Sequence, residues 1–153
     1  MKYVYSYAQV RKADETTIKE GTPSRDLMER AGRALADAVK RAMKEKGISD
    51  ALFVCGGGNN GGDGFAAAQF LVDEGEDVQI LCLADKFSPD SLFFKEKFSG
   101  ELFGRIPRRR YALIVDCLLG TGITHAPEGN TKSLIDFINT SGAYVVSCDV
   151  PSG

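Results

Sequence analysis

No two of the four cysteines, Cys55, Cys82, Cys117 and Cys148, stand in a C-x-x-C spacing, which excludes a zinc cluster and a disulfide framework. Each falls at or near the end of an apolar run and reads as a small reduced core residue, with a catalytic thiol the alternative. There is no charged and apolar leader at the N-terminus and no apolar stretch long enough for a bilayer, so the chain is expected to be soluble, cytoplasmic and free of a membrane. Neither sign of charge dominates: the formal net charge is −2, which argues against a general nucleic-acid surface. The single tight basic run, Arg108, Arg109 and Arg110, follows Pro107 just before an apolar strand and reads as a solvated loop. Histidine occurs once, as His125. Internal repeats, linkers and low-complexity segments are also lacking. What is present, 153 residues with 43% hydrophobic and 26% charged, suits one globular domain with a real core.

The rest of the chain is organised around ALFVCGGGNNGGDGFAAAQFLV, residues 51–72. A short apolar run at 51–54 has the length of a buried parallel strand, and residues 65–74 read as a helix stopped by Gly75. Between them six of the ten residues 55–64 are glycine. Missing Cβ atoms and the free N–H groups of a helix N-terminus make such a turn a cradle for phosphate or cofactor. Gly56, Gly58 and Gly61 satisfy G-x-G-x-x-G, with Asp85 as a ribose acid, a weak match to a dinucleotide fingerprint. A P-loop is excluded because Asp63 follows Gly62 where lysine is needed. Neither template explains the side chains of Asn59, Asn60 and Asp63.

Elsewhere the patterns predict helices over 8–20, from Thr22-Pro23-Ser24 to Gly47, over 88–98 and over 131–140. Strands are expected at 78–83, 101–106, 112–115 and 143–147. In the helix before Gly47, Leu27, Met28, Ala31, Leu35, Ala38 and Ala42 recur at three- and four-residue steps, a mostly alanine face suited to close packing. Strand and helix alternate, so the fold class is α/β: a doubly wound, mostly parallel Rossmann-like sheet flanked by helices in three layers.

Three strand ends carry polar or glycine-rich segments: GGGNNGGDG, DCLLGTG from Asp116, and DVPSG from Asp149. Ligands of open parallel sheets bind beyond the carboxyl ends of the strands. Simpler roles exist for each: Asp63 could cap the helix from Phe65, Asp116 a turn, and Pro151-Ser152-Gly153 is ordinary turn chemistry. In the usual strand arrangement Asn60, Asp116 and Ser152 converge. An amide oxygen, a carboxylate and a hydroxyl are hard donors carrying one negative charge, which points to an alkali or alkaline-earth ion. Asp149 is then free to transfer a proton or to bind a ligand hydroxyl.

With NNGGDG, DCLLGTG and DVPSG in that order, and an earlier Leu27-Met28-Glu29-Arg30-Ala31-Gly32 helix segment, the chain resembles the YjeF N-terminal family, the NAD(P)H-hydrate epimerases. The resemblance covers most of the chain. It implies interconversion of the R and S forms of hydrated NADH and NADPH (NADHX and NADPHX) at C6 of the nicotinamide ring, alongside a fused or separate dehydratase. It implies substrate contacts from Asn59, Asn60, Gly61, Gly62, Asp63, Gly120, Thr121, Gly122, Ile123, Thr124, His125, Ala126 and Asp149. Asp149 would be the acid/base, and Asn60, Asp116 and Ser152 would hold one potassium ion. Between Asp149 and Asp116, a cation-bound carboxylate is the poorer base. Family members carry arginine near His125, which is here read as a loop residue or neutral phosphate ligand. Family domains also continue past D-V-P-S-G. Residues 1–153 are therefore expected to form one domain incomplete at its C-terminal end, with an exposed apolar sheet edge, Ser152 on a frayed end, and pairing into a homodimer.

Two other functions compete with this one. A non-catalytic binding or scaffold module of the same fold, as in the mRNA-decapping enhancers, would not need intact Asn59, Asn60, Asp63, Asp116 and Asp149. An ordinary dinucleotide oxidoreductase gives no task to Asn60 or Ser152.

Overall fold

The computed structural model describes residues 5–153, without the Tyr7 side chain; residues 1–4 of the tyrosine-rich start lie outside the described set. In chain order the elements are α1 (Tyr7–Lys19), α2 (Ser24–Lys46), β1 (Asp50–Cys55), α3 (Asn59–Asp73), β2 (Asp77–Leu81), α4 (Pro89–Lys97), β3 (Glu101–Phe103), β4 (Leu113–Cys117), α5 (Gly129–Thr140) and β5 (Tyr144–Ser147). The strands pair in the order β3-β2-β1-β4-β5, all parallel. The apolar runs of β1, β2 and β4 are buried on both faces, which is why they are continuous rather than alternating.

One sheet face packs Ala51, Phe53, Val78, Ile80, Leu113 and Val115 against α2, α3 and α4. The other packs Leu52, Val54, Leu81 and Ile114 against Leu134 and Ile138 of α5. The result is the predicted three-layer α/β sheet. Phe53, Phe65 and Leu71 are wholly buried, and each such side chain contributes about 1.5–3 kcal/mol. Strand order reverses between β1 and β4, so the loops leaving these two strands flank the switch point where ligands of this architecture bind.

Local chemistry explains the helix ends. Ser6 and Gln9 form a capping box on α1. Gly47 ends α2 in the left-handed conformation at φ 65°, as expected. The hydroxyl cap expected at the start of α2 is absent: Pro23 is the N-cap residue, and the Ser24 hydroxyl instead donates to Asp90 at the head of α4. Along α2 the deeply buried residues are Met28, Gly32, Leu35, Ala36, Val39 and Met43. A Cβ on Gly32 would lie 2.5 Å from the Ala66 Cβ, so glycine there sets how closely α2 crosses α3. Ala31, Ala34 and Ala38 belong to the flank of that stripe and line an open cleft.

The segment expected to be a glycine turn before a helix at Phe65 is itself helical from Asn59, six residues earlier. None of its glycines has positive φ. Among the described residues all four cysteines are free, with Cys55, Cys82 and Cys117 buried and Cys148 half-buried, as the core reading expects. Burial pushes the thiols of Cys55, Cys82 and Cys117 up, and the Cys117 thiol, then burial, pushes Cys148 up, so these thiols are poor nucleophiles. The described part of α1 is exposed apart from the half-buried Thr17.

Candidate active site

The site begins where β1 meets β4. The N–H of Gly56 donates to Cys117 O at 3.1 Å, continuing the ladder into the first glycine of the loop. A Cβ on Gly56 would meet Leu118 O at 2.2 Å, one on Gly57 would meet Lys86 O at 1.9 Å, and one on Gly61 would meet Gly56 O at 1.9 Å. The glycines are therefore needed because the chain packs against its own backbone. The loop is anchored from α4 as well: Ser88 N donates to Gly57 O at 2.9 Å, and the Ser88 hydroxyl donates to Asn59 Oδ1 at 3.0 Å. Gly61→Ala is a sharp test. In an ordinary helix interior alanine stabilises, whereas here overpacking should cost roughly 1–3 kcal/mol, lowering Tm by about 2–12 °C in a thermal melt and depressing turnover with it.

The second component is a latch between the ends of β4 and β5. Asp116 is 3% exposed, and its carboxylate accepts from Ser152 N at 2.8 Å, from Ser152 Oγ at 2.7 Å and from Leu118 N at 3.2 Å. Leu119 N donates to Ser152 Oγ at 3.0 Å, and the Asn60 amide donates to Leu119 O at 2.9 Å. Asn60, Asp116 and Ser152 thus gather around Leu119, as the sequence suggested. Asp116 also caps the turn at Leu118, the simpler role expected of it. Ser152 is buried at 7% exposure and tied to Asp116, so the expected frayed end is not observed. Within this latch Asn60 Oδ1 is a buried acceptor without a hydrogen-bond partner among the described residues. Among the described residues no group of three or more His, Cys, Asp or Glu side chains is arranged to hold a metal, so a cation here would depend on amide, hydroxyl and carbonyl oxygens beside one carboxylate.

The third component is a cleft of about 1430 Å³ over these strand ends. Among the residues named from sequence, Asn59, Asn60, Asp63, Gly120, Thr121, Gly122, Ile123, Thr124, His125 and Asp149 line it. Gly61, Gly62 and Ala126 do not; Gly61 backs onto Gly56, and a Cβ on Gly62 would meet Met28 Sδ at 2.4 Å. Asp116 and Ser152 stand behind the wall. Asp149 is exposed, and its Oδ2 accepts from Thr121 N at 3.1 Å, tying the β5 carboxylate to the G-T-G loop. His125 is exposed, with Nδ1 at 3.2 Å from Thr124 Oγ1.

Asp63 is not the helix cap one reading expected; Gly58 is, and Asp63 is the fifth helical residue, facing the cleft. Burial, and then the charges of Asp149 and Asp14, push its carboxyl up to about 7. A carboxyl held there is part protonated near neutral pH and so can donate a proton into the cleft. Asp85 lies exposed just past Leu83 and Ala84, which line the cleft. The basic run is remote: Arg109 pairs with Asp50 at the start of β1, the opposite end of the strands, and Arg108 and Arg110 are exposed. The sequence reading missed the contribution of α1, whose Val10, Arg11, Asp14, Glu15 and Ile18 form a cleft-facing stripe. Their three- and four-residue spacing was the available signal.

A doubly wound parallel sheet, with a cleft at its switch point lined by two carboxyl groups, defines a Rossmann-like α/β protein suited to bind a small ligand. The chain belongs to the YjeF family: residues 24–153 match the family described as YjeF-related protein N-terminus. It is 36% identical to an NAD(P)H-hydrate epimerase of Oenococcus oeni, over 97% of this chain and 73% of that protein. It is 34% identical to a bifunctional NAD(P)H-hydrate repair enzyme of Thermofilum pendens, over 91% of this chain but 29% of that longer protein. The fold superposes on the crystal structure of the yeast protein YNL200c with a TM-score of 0.84 at 21% identity, covering 99% of this chain and 72% of that one.

Proposed function

We propose that this chain is an NAD(P)H-hydrate epimerase, an isomerase that equilibrates the R and S forms of NADHX and NADPHX in cofactor repair. Its family membership and its epimerase-named relatives support that activity. The structural observation that carries the reading is that Asp149 and Asp63 line one cleft, with the Asp63 carboxyl pushed up to about 7 by burial and then by the charge of Asp149. Epimerisation at C6 needs the C6–O bond to break on one face and re-form on the other. As hydroxyl leaves, it takes a proton and departs as water, while the ring-nitrogen lone pair forms a C6–N double bond; water then adds to the opposite face and loses a proton. One C–O bond is lost and one gained, with no redox change. In this reading Asp63 supplies the first proton and Asp149 accepts the second, and the roles exchange in the reverse direction. Asn59, Asn60 and the residues from Gly120 to His125 would position the hydrate; Gly61 and Gly62 would shape the wall behind it.

The cation reading also fits. Asn60 Oδ1 is a buried acceptor with no partner, and Asp116 and Ser152 add hard oxygens beside it, a donor set for one monovalent ion such as potassium. A bound cation would supply positive charge beside the substrate; the chain's own residues carry the proton transfers. Residues 1–153 would act as one domain. A dehydratase, fused or separate, would be the companion activity, and the exposed β5 edge at Tyr144 and Val145 the place for a second copy to pair. The scaffold-module reading has no comparable support, since it leaves the two cleft-lining carboxyls, Asp149 and Asp63, without a purpose. The direct test is incubation of purified R-NADHX with the chain, followed by chromatography of the two epimers. Equilibration well above the uncatalysed rate supports the reading, and a folded chain that leaves R-NADHX unchanged sinks it.

A further inference from the structure

Leu119, Gly120 and Thr121 leave the end of β4 and run between the latch and the carboxylate of Asp149. Leu119 is held at both of its main-chain groups: its N–H donates to Ser152 Oγ at 3.0 Å, and its carbonyl accepts from the Asn60 amide at 2.9 Å. Two residues on, Thr121 N donates to Asp149 Oδ2 at 3.1 Å. Gly120 links these contacts, and its backbone conformation does not call for glycine, since its φ is not positive. Its surroundings do. A Cβ at Gly120 would lie 3.1 Å from Asp149 Oδ2 and 3.5 Å from the Asn60 Cβ. Among the other glycines lining the cleft, Gly56 and Gly57 would meet the main-chain oxygens of Leu118 and Lys86, and Gly58 and Gly122 would meet nothing within 4 Å. Among the described residues Gly120 is thus the one cleft-lining glycine packed against the carboxylate assigned above as an acid/base.

What a methyl group at this position would do follows from what can yield. The nearest atom is the far end of an exposed side chain, not main chain as at Gly56, Gly57 and Gly61. A carbon 3.1 Å from an oxygen is a few tenths of an ångström too close, so Asp149 would turn outward into solvent. The hydrogen bond from Thr121 N, at 3.1 Å already near the long end of the normal range, would be stretched or broken. Little stability is at stake, because the carboxylate is exposed and alanine restricts the unfolded chain more than glycine does. The fold tolerates the change; the aim of the carboxylate does not.

We propose that Gly120 is a positioning residue for Asp149: its missing Cβ lets the carboxylate seat on the Thr121 N–H beside Asn60, which fixes where the acid/base group points. The proposal rests on the epimerase reading of Asp149, and two measurements separate the failure of one from the failure of the other. The first is a double-mutant cycle on kcat for R-NADHX. Gly120→Ala should lower kcat roughly tenfold in the otherwise wild-type chain, as expected of a displaced reacting group, with Tm unchanged or higher. In the Asp149→Asn background the same substitution should change the residual rate by less than about twofold, because the group it displaces no longer takes a proton. Equal losses in the two backgrounds, the result expected of a methyl that blocks substrate or loosens the fold, would overturn the proposal. So would a kcat for Gly120→Ala within about twofold of wild type. The second measurement needs no turnover: it is the position of the Thr121 amide in a proton–nitrogen correlation NMR spectrum. Asp149→Ala removes the acceptor and should move this signal in the otherwise wild-type chain, yet leave it nearly in place in Gly120→Ala, where the contact is already lost. Equal displacements in the two chains would overturn the seating of Asp149 by Gly120. The expected NMR result from a chain that does not epimerise R-NADHX would instead discard the activity and leave Gly120 as the residue that seats the carboxylate.

Discussion

Asp149→Asn is expected to lower kcat for R-NADHX by about 10²–10⁴-fold, the range usual for removing a positioned acid/base group, while Tm stays within about 2 °C of wild type. The asymmetry follows from the surroundings of the side chain. Asp149 is exposed and accepts from Thr121 N, a hydrogen bond that an asparagine carbonyl oxygen can still accept. Asparagine keeps the shape and that hydrogen bond but cannot take a proton from water at neutral pH. Steady-state rates and a thermal melt on the same preparation decide the matter. Near-normal kcat would remove Asp149 from the chemistry, and a collapse of Tm would make it a structural residue.

Asp63→Asn should act on activity and on stability in opposite directions. In the wild type the carboxyl is held up at about 7 by burial and by the neighbouring Asp149 and Asp14, against an unfolded value of 3.8. Between these values the unfolded chain has released the proton and the folded chain retains it. The folded state therefore binds more protons, and stability falls as pH rises from about 4 to about 7, levelling off above. Asparagine abolishes this dependence, so the Tm of the variant relative to wild type should climb between pH 4.5 and pH 8. Turnover should drop about 10²–10⁴-fold at neutral pH, because the neutral acid is gone. In the wild type, kcat/KM should decline as pH rises through about 7, where Asp63 loses its proton. A variant that keeps wild-type turnover would remove the acid role, and a Tm difference independent of pH would show that the carboxyl is not perturbed.

The parallel strands were legible because β1, β2 and β4 are covered on both faces and so carry mostly apolar side chains at successive positions rather than alternating ones, with Asp116 and Gln79 the buried exceptions. The meeting of Asn60, Asp116 and Ser152 was legible for a topological reason: in a doubly wound sheet the carboxyl ends of neighbouring strands open on one edge. The start of α3 was not. Asn-Asn-Gly-Gly-Asp-Gly has poor helix propensity, and the turn is held by packing that sequence alone does not display, with Gly61 against Gly56 O and Gly64 against the Cys55 and Cys117 thiols. Glycine was correctly read as permitting close approach, but at Gly56, Gly57 and Gly61 the approaching atoms belong to the protein itself. The burial of Ser152 escaped notice because it depends on a carboxylate 36 residues away, which satisfies both its N–H and its hydroxyl. The cleft face of α1 escaped because its spacing mixes apolar and charged residues, so it did not stand out as an amphipathic stripe.

The measurement that bears most directly on the account is epimerisation of R-NADHX by the purified chain in potassium buffer, repeated with choline in place of potassium at equal ionic strength. The account predicts equilibration of R and S forms in potassium and a rate at least tenfold lower in choline, with the potassium rate lost in Asp149→Asn. No conversion in either buffer by a folded chain would contradict the epimerase assignment, and equal rates in the two would contradict the cation site built on Asn60, Asp116 and Ser152.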